Sequence, residues 1–168
     1  MGDGAPAERV SVTRRIPASA AAVFAVVSDP AGHVRIDGSG MLVAADDAAP
    51  PTAVGDTFEM DMDRTPLGDL PGVTAYRTLN TVTAYEPGRR FEWSVTAPGR
   101  TPPGFVWGYL VEPVDDGTAD VTNYFDWSGM SEERKARSAG RMPLIPETTI
   151  AATLERLERV LVGEAGPG

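Results

Sequence analysis

Apolar and polar residues alternate along most of the chain, and this pattern predicts β-strands. Near the start, Val10, Val12 and Ile16 alternate with polar residues, so one face of the segment is apolar. The same period of two returns after Met41 and continues, between turns rich in Gly, Pro and Asp, as far as Ser128. The predicted strands cover residues 10–16, 41–45, 58–64, 73–85, 90–96, 105–112 and 120–128.

Helical patterns interrupt the strands at two places. Ser19 suits an N-cap for a helix over residues 20–27, and a second short helix is expected over residues 31–36. Ser131, followed by two glutamates, marks the start of a short polar helical segment over residues 131–139.

A long amphipathic helix closes the chain. Pro146 suits its first turn, and Gly163 ends it. Its apolar stripe consists of Ile150, Leu154, Leu157 and Leu161. Consecutive strands on short turns, followed by one long helix, indicate an antiparallel sheet with that helix on one face. The predicted fold class is α+β, with a curved sheet of about seven strands and two short helices after the first strand.

One face of the predicted sheet is unusually aromatic. All aromatic residues except Phe24 lie between Phe58 and Trp127. Three groups of them share one parity within a strand, namely Phe91 with Trp93, Phe105 with Trp107 and Tyr109, and Phe125 with Trp127. A single helical stripe is too narrow to cover such a face, so the surplus either packs as core or lines a cavity. Polar residues share this face, as expected of a small-molecule pocket. They are Arg64, Tyr76, Asn80, Tyr109 and Asn123.

Composition narrows the range of functions. Apolar residues make up 42% of the chain and charged residues 23%, which is ordinary for a globular protein. The net charge of −9 disfavours nucleic acid as a partner. No apolar run is long enough to span a membrane, and residues 1–9 do not resemble a signal peptide, so a cytoplasmic location is expected. The abundance of Ala, Gly, Pro and Arg indicates a GC-rich bacterial genome.

The absence of cysteine and the single histidine, His33, limit the chemistry. Disulfides, thiolate nucleophiles and His-rich metal sites are excluded, and neither a metal nor a cofactor is expected. Asp61 and Asp63 form an Asp-x-Asp pattern, but strand alternation places both on the outer face of the sheet. The Gly-Ser-Gly at residues 38–40 lacks the spacing of a nucleophile elbow.

Several segments resemble the START/SRPBCC superfamily, in its bacterial polyketide cyclase/dehydrase-like branch. They are Ile16-Pro17-Ala18, Val23-Phe24, Asp29-Pro30-Ala31-Gly32-His33, Asp37-Gly38-Ser39-Gly40, Tyr85-Glu86-Pro87, Arg90-Phe91-Glu92-Trp93, and Val121 through Asp126-Trp127-Ser128. The likeness covers residues 8–162 and implies a helix-grip fold, in which a curved sheet wraps a long helix around a deep apolar cavity. The family includes polyketide aromatase/cyclases, lipid and hormone binders, and activators of a heat-shock ATPase. One fold hosts many functions, so the likeness alone does not decide among them.

Four residues are candidates for catalysis. If its helix lies at the cavity mouth, as the resemblance implies, His33 is a candidate base together with Asp37, although a lone histidine more often makes a structural hydrogen bond, here capping the loop at Gly38. Arg64 is a candidate for binding an anionic or carbonyl oxygen of the ligand, and Tyr109 is a candidate proton donor. For both, ordinary hydrogen bonding inside the sheet is the simpler interpretation.

The ligand-binding candidates are the remaining wall residues, with the tryptophans as stacking surfaces for a flat ligand. They are Met60, Met62, Tyr76, Asn80, Trp93, Phe105, Trp107, Asn123, Phe125 and Trp127. The predicted function is binding of a hydrophobic, aromatic or polyketide-type molecule, with or without its cyclisation or dehydration. The alternatives are a non-catalytic carrier of a lipid-like metabolite and a protein-interaction module. One ligand-binding domain is expected over residues 8–163, with disordered tails at 1–7 and 164–168, in a monomer or homodimer.

Overall fold

One antiparallel sheet organises the molecule. The computed structural model describes residues 7–46, 49–138 and 141–163. Within them the sheet has seven strands in the order β1-β7-β6-β5-β4-β3-β2, and it curls into a half-barrel. The strands are β1 (Arg9–Ile16), β2 (Leu42–Ala45), β3 (Thr57–Asp63), β4 (Ala75–Glu86), β5 (Arg90–Thr96), β6 (Val106–Asp115) and β7 (Thr118–Asp126).

The described residues form four helices, which are α1 (Ala20–Val27), α2 (Pro30–Ile36), α3 (Glu132–Arg137) and α4 (Glu147–Val162). Polar side chains begin the first three. The Ser19 hydroxyl accepts from the Ala22 amide at 3.1 Å, Asp29 caps α2, and Ser131 caps α3. Each cap supplies an acceptor to an amide that has no partner inside the helix, so the sequence fixes where these helices begin.

The predicted fold class and strand count are confirmed, with small changes at the ends. Strand β4 begins at Ala75 instead of Val73, and β6 continues to Asp115. Pro146 is the N-cap of α4 and lies just outside its first turn. Of the tails predicted at residues 1–7 and 164–168, residues 1–6 and 164–168 lie outside the described residues.

The outer, convex face of the sheet is held by polar pairs. Arg9 donates to Asp126 at 2.9 Å across β1 and β7, and Arg15 forms a two-point contact with Asp120. Tyr124 lies over Gly108, where any Cβ would overlap its ring. Such cross-strand pairs satisfy polar groups on the face that α4 does not cover.

The core divides into two apolar clusters on the concave side. The larger one joins α1 and α4 to the sheet through residues such as Val23, Leu154 and Leu157, all fully buried. The smaller one contains Phe125 and Ile150. Helix α4 packs against β1 and β7, while α2 packs against β2 at the other edge of the sheet. The middle strands therefore face a space that α4 does not fill.

Candidate functional site

A cavity of about 730 Å³ occupies this space between the concave face of the sheet and the helices. It takes in thirteen of the fourteen residues predicted from sequence, although their predicted roles stay predictions. The thirteen are His33, Asp37, Met60, Met62, Arg64, Tyr76, Asn80, Trp93, Phe105, Trp107, Tyr109, Asn123 and Phe125.

Trp127 is the exception. It follows the end of β7 and packs into the smaller apolar cluster, with its ring centroid 5.5 Å from that of Phe125. Met130 and Ile150 belong to the same cluster, and Trp127 is only 9% exposed. It shares the parity of Phe125 but lies past the end of β7, and it is not among the residues that line the cavity. Trp127 therefore packs against the wall instead of lining it.

The aromatic wall consists of the lining rings of Trp93, Phe105, Trp107, Tyr109 and Phe125. Trp107 and Phe125 are cross-strand neighbours with centroids 4.7 Å apart, and the rings of Trp93 and Tyr109 are stacked at 6.1 Å. Rings that pack on one another in this way leave little freedom to collapse inward. The wall therefore offers a pre-formed surface for a flat ligand.

His33 is buried against this wall and makes a structural hydrogen bond. Its Nε2 lies 2.6 Å from the carbonyl oxygen of Val27, at the end of α1, instead of capping the Gly38 loop as predicted. Because a carbonyl only accepts, Nε2 carries the proton. Burial lowers the pKa of His33 from its usual value near 6.5 to about 4. The imidazole stacks on Trp93 at 4.6 Å and is neutral at physiological pH.

Asp37 organises the loop after α2. Its Oδ1 accepts from the Ser39 amide at 2.9 Å and the Ser39 hydroxyl at 2.7 Å, and its Oδ2 accepts from the Leu42 amide at 3.1 Å. Three donors on one carboxylate hold it in place as a loop anchor. No hydrogen bond joins Asp37 to His33 within the part of the chain that the structure describes, and their predicted joint role as a general base stays a prediction.

Gly38 explains how this loop reaches the helix. A Cβ at residue 38 would lie 2.8 Å from the Thr153 nitrogen and 2.9 Å from the Thr149 oxygen, both in the backbone of α4. The Gly38 amide instead donates to the Thr153 hydroxyl at 3.0 Å. Only glycine allows this approach, which closes the cavity between α2 and α4.

Arg64 is held by a carboxylate at the cavity rim. Its Nε and Nη2 donate to the two oxygens of Asp69 at 2.8 and 2.7 Å, and Arg141 donates to the same carboxylate at 2.6 Å. This ion pair raises the pKa of Arg64 and lowers that of Asp69 to about 2. With its fork engaged by Asp69, Arg64 is not free to bind a ligand anion in the same two-point geometry.

Tyr109 presents a free hydroxyl. The side chain is 4% exposed, and burial raises its pKa above the usual value, so the group stays protonated. Its hydroxyl makes no hydrogen bond with any residue in the described ranges. Of the four predicted catalytic residues, Tyr109 alone keeps a proton available to the cavity.

Two buried amides complete the polar lining. Asn80 on β4 donates to the Phe58 carbonyl at 3.2 Å, and Asn123 on β7 donates to the Gly108 carbonyl at 2.9 Å. Each is 3% exposed. Both were predicted from strand parity, and the structure brings them to the same cavity from strands separated by β5 and β6.

Sequence reasoning missed the helical side of the cavity. Thr149, Ile150 and Thr153 of α4 line it, together with Leu144 and Ile145 just before the helix. Thr149 and Thr153 are four residues apart and flank Ile150, so a helical wheel places them beside the apolar stripe. That spacing was the available signal, but threonine on a helix also suits a solvent-facing position.

The cavity opens at one end of the sheet. Exposed residues of the β5–β6 loop and of α3, including Arg100, Thr101 and Arg134, contribute to its lining. Buried and exposed lining residues on one continuous surface indicate a mouth between these loops. A ligand therefore has a route from solvent to the aromatic wall.

Within residues 7–46, 49–138 and 141–163, no cluster of three or more potential ligands is placed to hold a metal ion. Asp61 pairs with Arg77 at 2.7 Å, as expected for an outward-facing residue. None of the helices in these ranges is long and apolar enough to cross a membrane.

Known proteins are similar to this chain in sequence. A family model described as polyketide cyclase/dehydrase and lipid transport matches residues 7–162. The uncharacterized protein Rv0088 of Mycobacterium tuberculosis is 34% identical over 119 residues, which is 71% of this chain and 47% of that protein. The chain thus spans about half the length of this curated relative.

Solved structures show the same fold at low identity. A protein from Arthrobacter aurescens superposes with a TM-score of 0.66 at 19% identity, covering 95% of this chain and 89% of the other. Norcoclaurine synthase from Thalictrum flavum, in complex with dopamine and hydroxybenzaldehyde, superposes with a TM-score of 0.60 at 15% identity, covering 100% and 96%. At these identities the likeness shows the fold alone.

Proposed function

The chain belongs to the polyketide cyclase/dehydrase and lipid transport family, and on this premise we propose that it binds an aromatic or polyketide-type small molecule in its cavity. The observation that carries the proposal is a cavity of about 730 Å³ with an aromatic wall. Its volume lies inside the range of roughly 300–1,000 Å³ found for small-molecule sites.

The shape of the wall supports a flat, mostly apolar ligand. Trp93 and Trp107 lie opposite each other on β5 and β6, so their rings form adjacent parts of one surface. Burying an apolar ring system there removes its surface from water, and the stacked rings add favourable edge and face contacts. We propose the thirteen lining residues named above as the binding set, within a domain over residues 8–163, with no cofactor required.

A test of occupancy is native mass spectrometry of freshly purified protein, which we expect to show a retained small molecule. Val95 lines the cavity from β5, and Ser94 points to the opposite face of the same strand. Val95→Trp fills cavity volume and should abolish retention, whereas the matched Ser94→Trp should preserve it. Equal retention by both variants would contradict binding at this site.

Catalysis of cyclisation or dehydration is a second candidate function, and the Tyr109 hydroxyl favours it. Polyketone chains are intrinsically reactive, so a shaped cavity with one proton donor near a carbonyl is sufficient to direct them. Once a substrate is found, Tyr109→Phe should lower kcat at least about tenfold while leaving KM nearly unchanged. Unchanged turnover would leave a carrier of a hydrophobic metabolite as the function.

The protein-interaction alternative is less well supported. It requires a filled core and an exposed apolar patch, and a cavity of about 730 Å³ argues against a filled core. The cytoplasmic location, the absence of nucleic-acid binding and the monomeric or homodimeric state stay predictions from the sequence.

A further inference from the structure

The polar groups inside the cavity define which ligand atoms it accepts, and Asn80 is the first of them. Its Nδ2 donates to the Phe58 carbonyl and the Thr78 hydroxyl, both at 3.2 Å. Since a carbonyl only accepts, the amide cannot be turned round without placing two oxygens together. Its Oδ1 receives no hydrogen bond from the residues that the structure describes, although the side chain is 3% exposed.

Asn123 repeats this arrangement at the other side of the cavity. Its Nδ2 donates to the Gly108 carbonyl at 2.9 Å, which fixes the amide orientation in the same way. Across residues 7–46, 49–138 and 141–163, no donor reaches its Oδ1. Two buried amide oxygens therefore line one apolar cavity with lone pairs available.

The separation of the two oxygens sets the size of a ligand that reaches both. Asn80 is on β4 and Asn123 on β7, three strand spacings apart, which is about 14 Å across a flat sheet. The two are also offset along the strands, since Asn80 pairs with Val95 and the partner of Asn123, Tyr109, pairs with Phe91, four residues or about 13 Å from Val95 on β5. Curling of the sheet shortens the distance across the concave side. Trp93 and Tyr109, on the two intervening strands, lie between them as stacked rings.

Among the basic residues that line the cavity, Arg77, Arg100 and Arg134 are exposed, and the two that lie deeper are not available to an anion. Arg64 is bound at two points by Asp69, and His33 is neutral and donates to the Val27 carbonyl. A ligand carboxylate against the wall would meet amide oxygens instead of a cation, which is repulsive and leaves the anion desolvated. A ligand ether or ketone would leave both amide oxygens unpaired.

We infer that the cavity selects a neutral polycyclic ligand with hydroxyl groups at opposite ends, a diphenol or the equivalent enol, which donates hydrogen bonds to Asn80 Oδ1 and Asn123 Oδ1. This deepens the proposed function and rests on it. A fused-ring system lies along the wall between the two amides, and its hydroxyl hydrogens supply the donors that the amide oxygens lack.

The test compares ligands that differ only in hydrogen-bond donation. Binding of a naphthalene diol with hydroxyls at opposite ends, its dimethyl ether, unsubstituted naphthalene and naphthoate is measured on the full chain by tryptophan fluorescence and calorimetry. We expect the diol to bind at least about tenfold more tightly than the ether, and naphthoate to bind more weakly than naphthalene.

Two variants locate the effect. Asn80→Leu and Asn123→Leu keep the side-chain size and remove the acceptor. Each should lower the ratio of diol affinity to naphthalene affinity by roughly fivefold to tenfold. Because the ligand series on the unmodified chain does not depend on the variants, a variant that misfolds does not remove the test.

The possible results distinguish failure of the inference from failure of the proposed function. If the ether and the diol bind equally well, the inference is overturned while the aromatic-ligand proposal stands. If the diol advantage survives in both variants, the two asparagines are not its source and the inference fails. If none of the aromatic probes binds, the proposed function fails together with the inference.

Discussion

His33 shows how a single buried ring joins the helices to the wall. Its imidazole stacks on Trp93, meets Phe91 edge-on at 5.8 Å, and donates to the carbonyl of Val27 at the end of α1. The ring therefore satisfies an unpaired helix carbonyl and forms part of the cavity wall. Its neutral form is part of the packing, so a change in its charge must affect the stability of the whole fold.

The depressed pKa of His33 predicts a specific pH dependence of stability. As the pH falls below about 6.5, His33 becomes protonated in the unfolded chain, whereas in the folded chain it stays neutral until about pH 4. The contribution of His33 to the free energy of unfolding is therefore full above pH 6.5 and is lost between pH 6.5 and pH 4. Between pH 7.5 and pH 5 we expect the free energy of unfolding to fall by about 2 kcal/mol from this residue alone.

Urea unfolding at the two pH values measures this loss, and His33→Gln is the matched control. Glutamine still donates to the Val27 carbonyl but does not titrate. Between pH 7.5 and pH 5, the unfolding free energy of the His33→Gln variant should fall by about 2 kcal/mol less than that of the unmodified chain. The same pH dependence in both proteins would show that His33 is not neutral in the folded state.

Among the elements, the loop between α2 and β2 is fixed to α4 at Gly38. Gly38→Ala places a Cβ against two backbone atoms of α4, so either the loop or the helix must move. We expect a loss of about 1–3 kcal/mol in unfolding free energy, measured by chemical denaturation.

Gly117→Ala is the matched control for this substitution. Gly117 lies in the β6–β7 turn, where the nearest atom to an added Cβ is 4.0 Å away. The control should unfold at the same denaturant concentration as the unmodified chain. If both variants lose the same stability, the contact between Gly38 and α4 is not the cause.

Asp69 connects two elements at the rim of the cavity. It lies in the β3–β4 loop and holds Arg64, next to β3, and Arg141, in the connection between α3 and α4. Asp69→Asn removes the charge that both guanidinium groups share. We expect a loss of about 2 kcal/mol in unfolding free energy and faster ligand release, measured by denaturation and stopped-flow fluorescence.

The control for Asp69 is an ion pair on the open surface. Arg137 and Glu133 are 3.7 Å apart on α3, with side chains 67% and 80% exposed. Arg137→Ala should leave both stability and ligand release unchanged, since exposed pairs contribute little. If Asp69→Asn behaves like this control, the rim cluster does not hold the two connections together.

Strand parity explains why most of the cavity wall was predictable from sequence. Side chains alternate strictly between the two faces of a sheet, so Asn80, Tyr109 and Asn123 were assigned to one face without coordinates. The partners of Arg64 and His33 were not predictable. They depend on where the carbonyl at the end of α1 and the carboxylate of the β3–β4 loop lie in space, which no period along the chain encodes.

At the level of the whole molecule, a ligand that binds only the folded chain must stabilise it. At about a hundredfold excess over Kd, this linkage is worth roughly 2.7 kcal/mol, which corresponds to a rise in Tm of about 5–10 °C for a chain of this size. We expect this shift with the retained molecule or the naphthalene diol in a thermal melt.

The cavity-filling variant Val95→Trp is the control for this rise in Tm. Val95→Trp should show little or no ligand-dependent rise in Tm, while Ser94→Trp should shift like the unmodified chain. An equal rise in all three proteins would place the binding site somewhere other than the cavity.

The convex face of the sheet carries cross-strand bonds that do not involve the cavity. The Tyr124 hydroxyl donates to Glu92 at 2.6 Å, and the Arg9 guanidinium lies 4.1 Å from the Tyr124 ring centroid. The wall residues occupy the alternate positions of the same strands. Evolution, or a protein engineer, is therefore able to exchange the ligand-facing set while the outer set maintains the register. On this architecture, new specificities are reached by a few inward substitutions, without a search for a new fold.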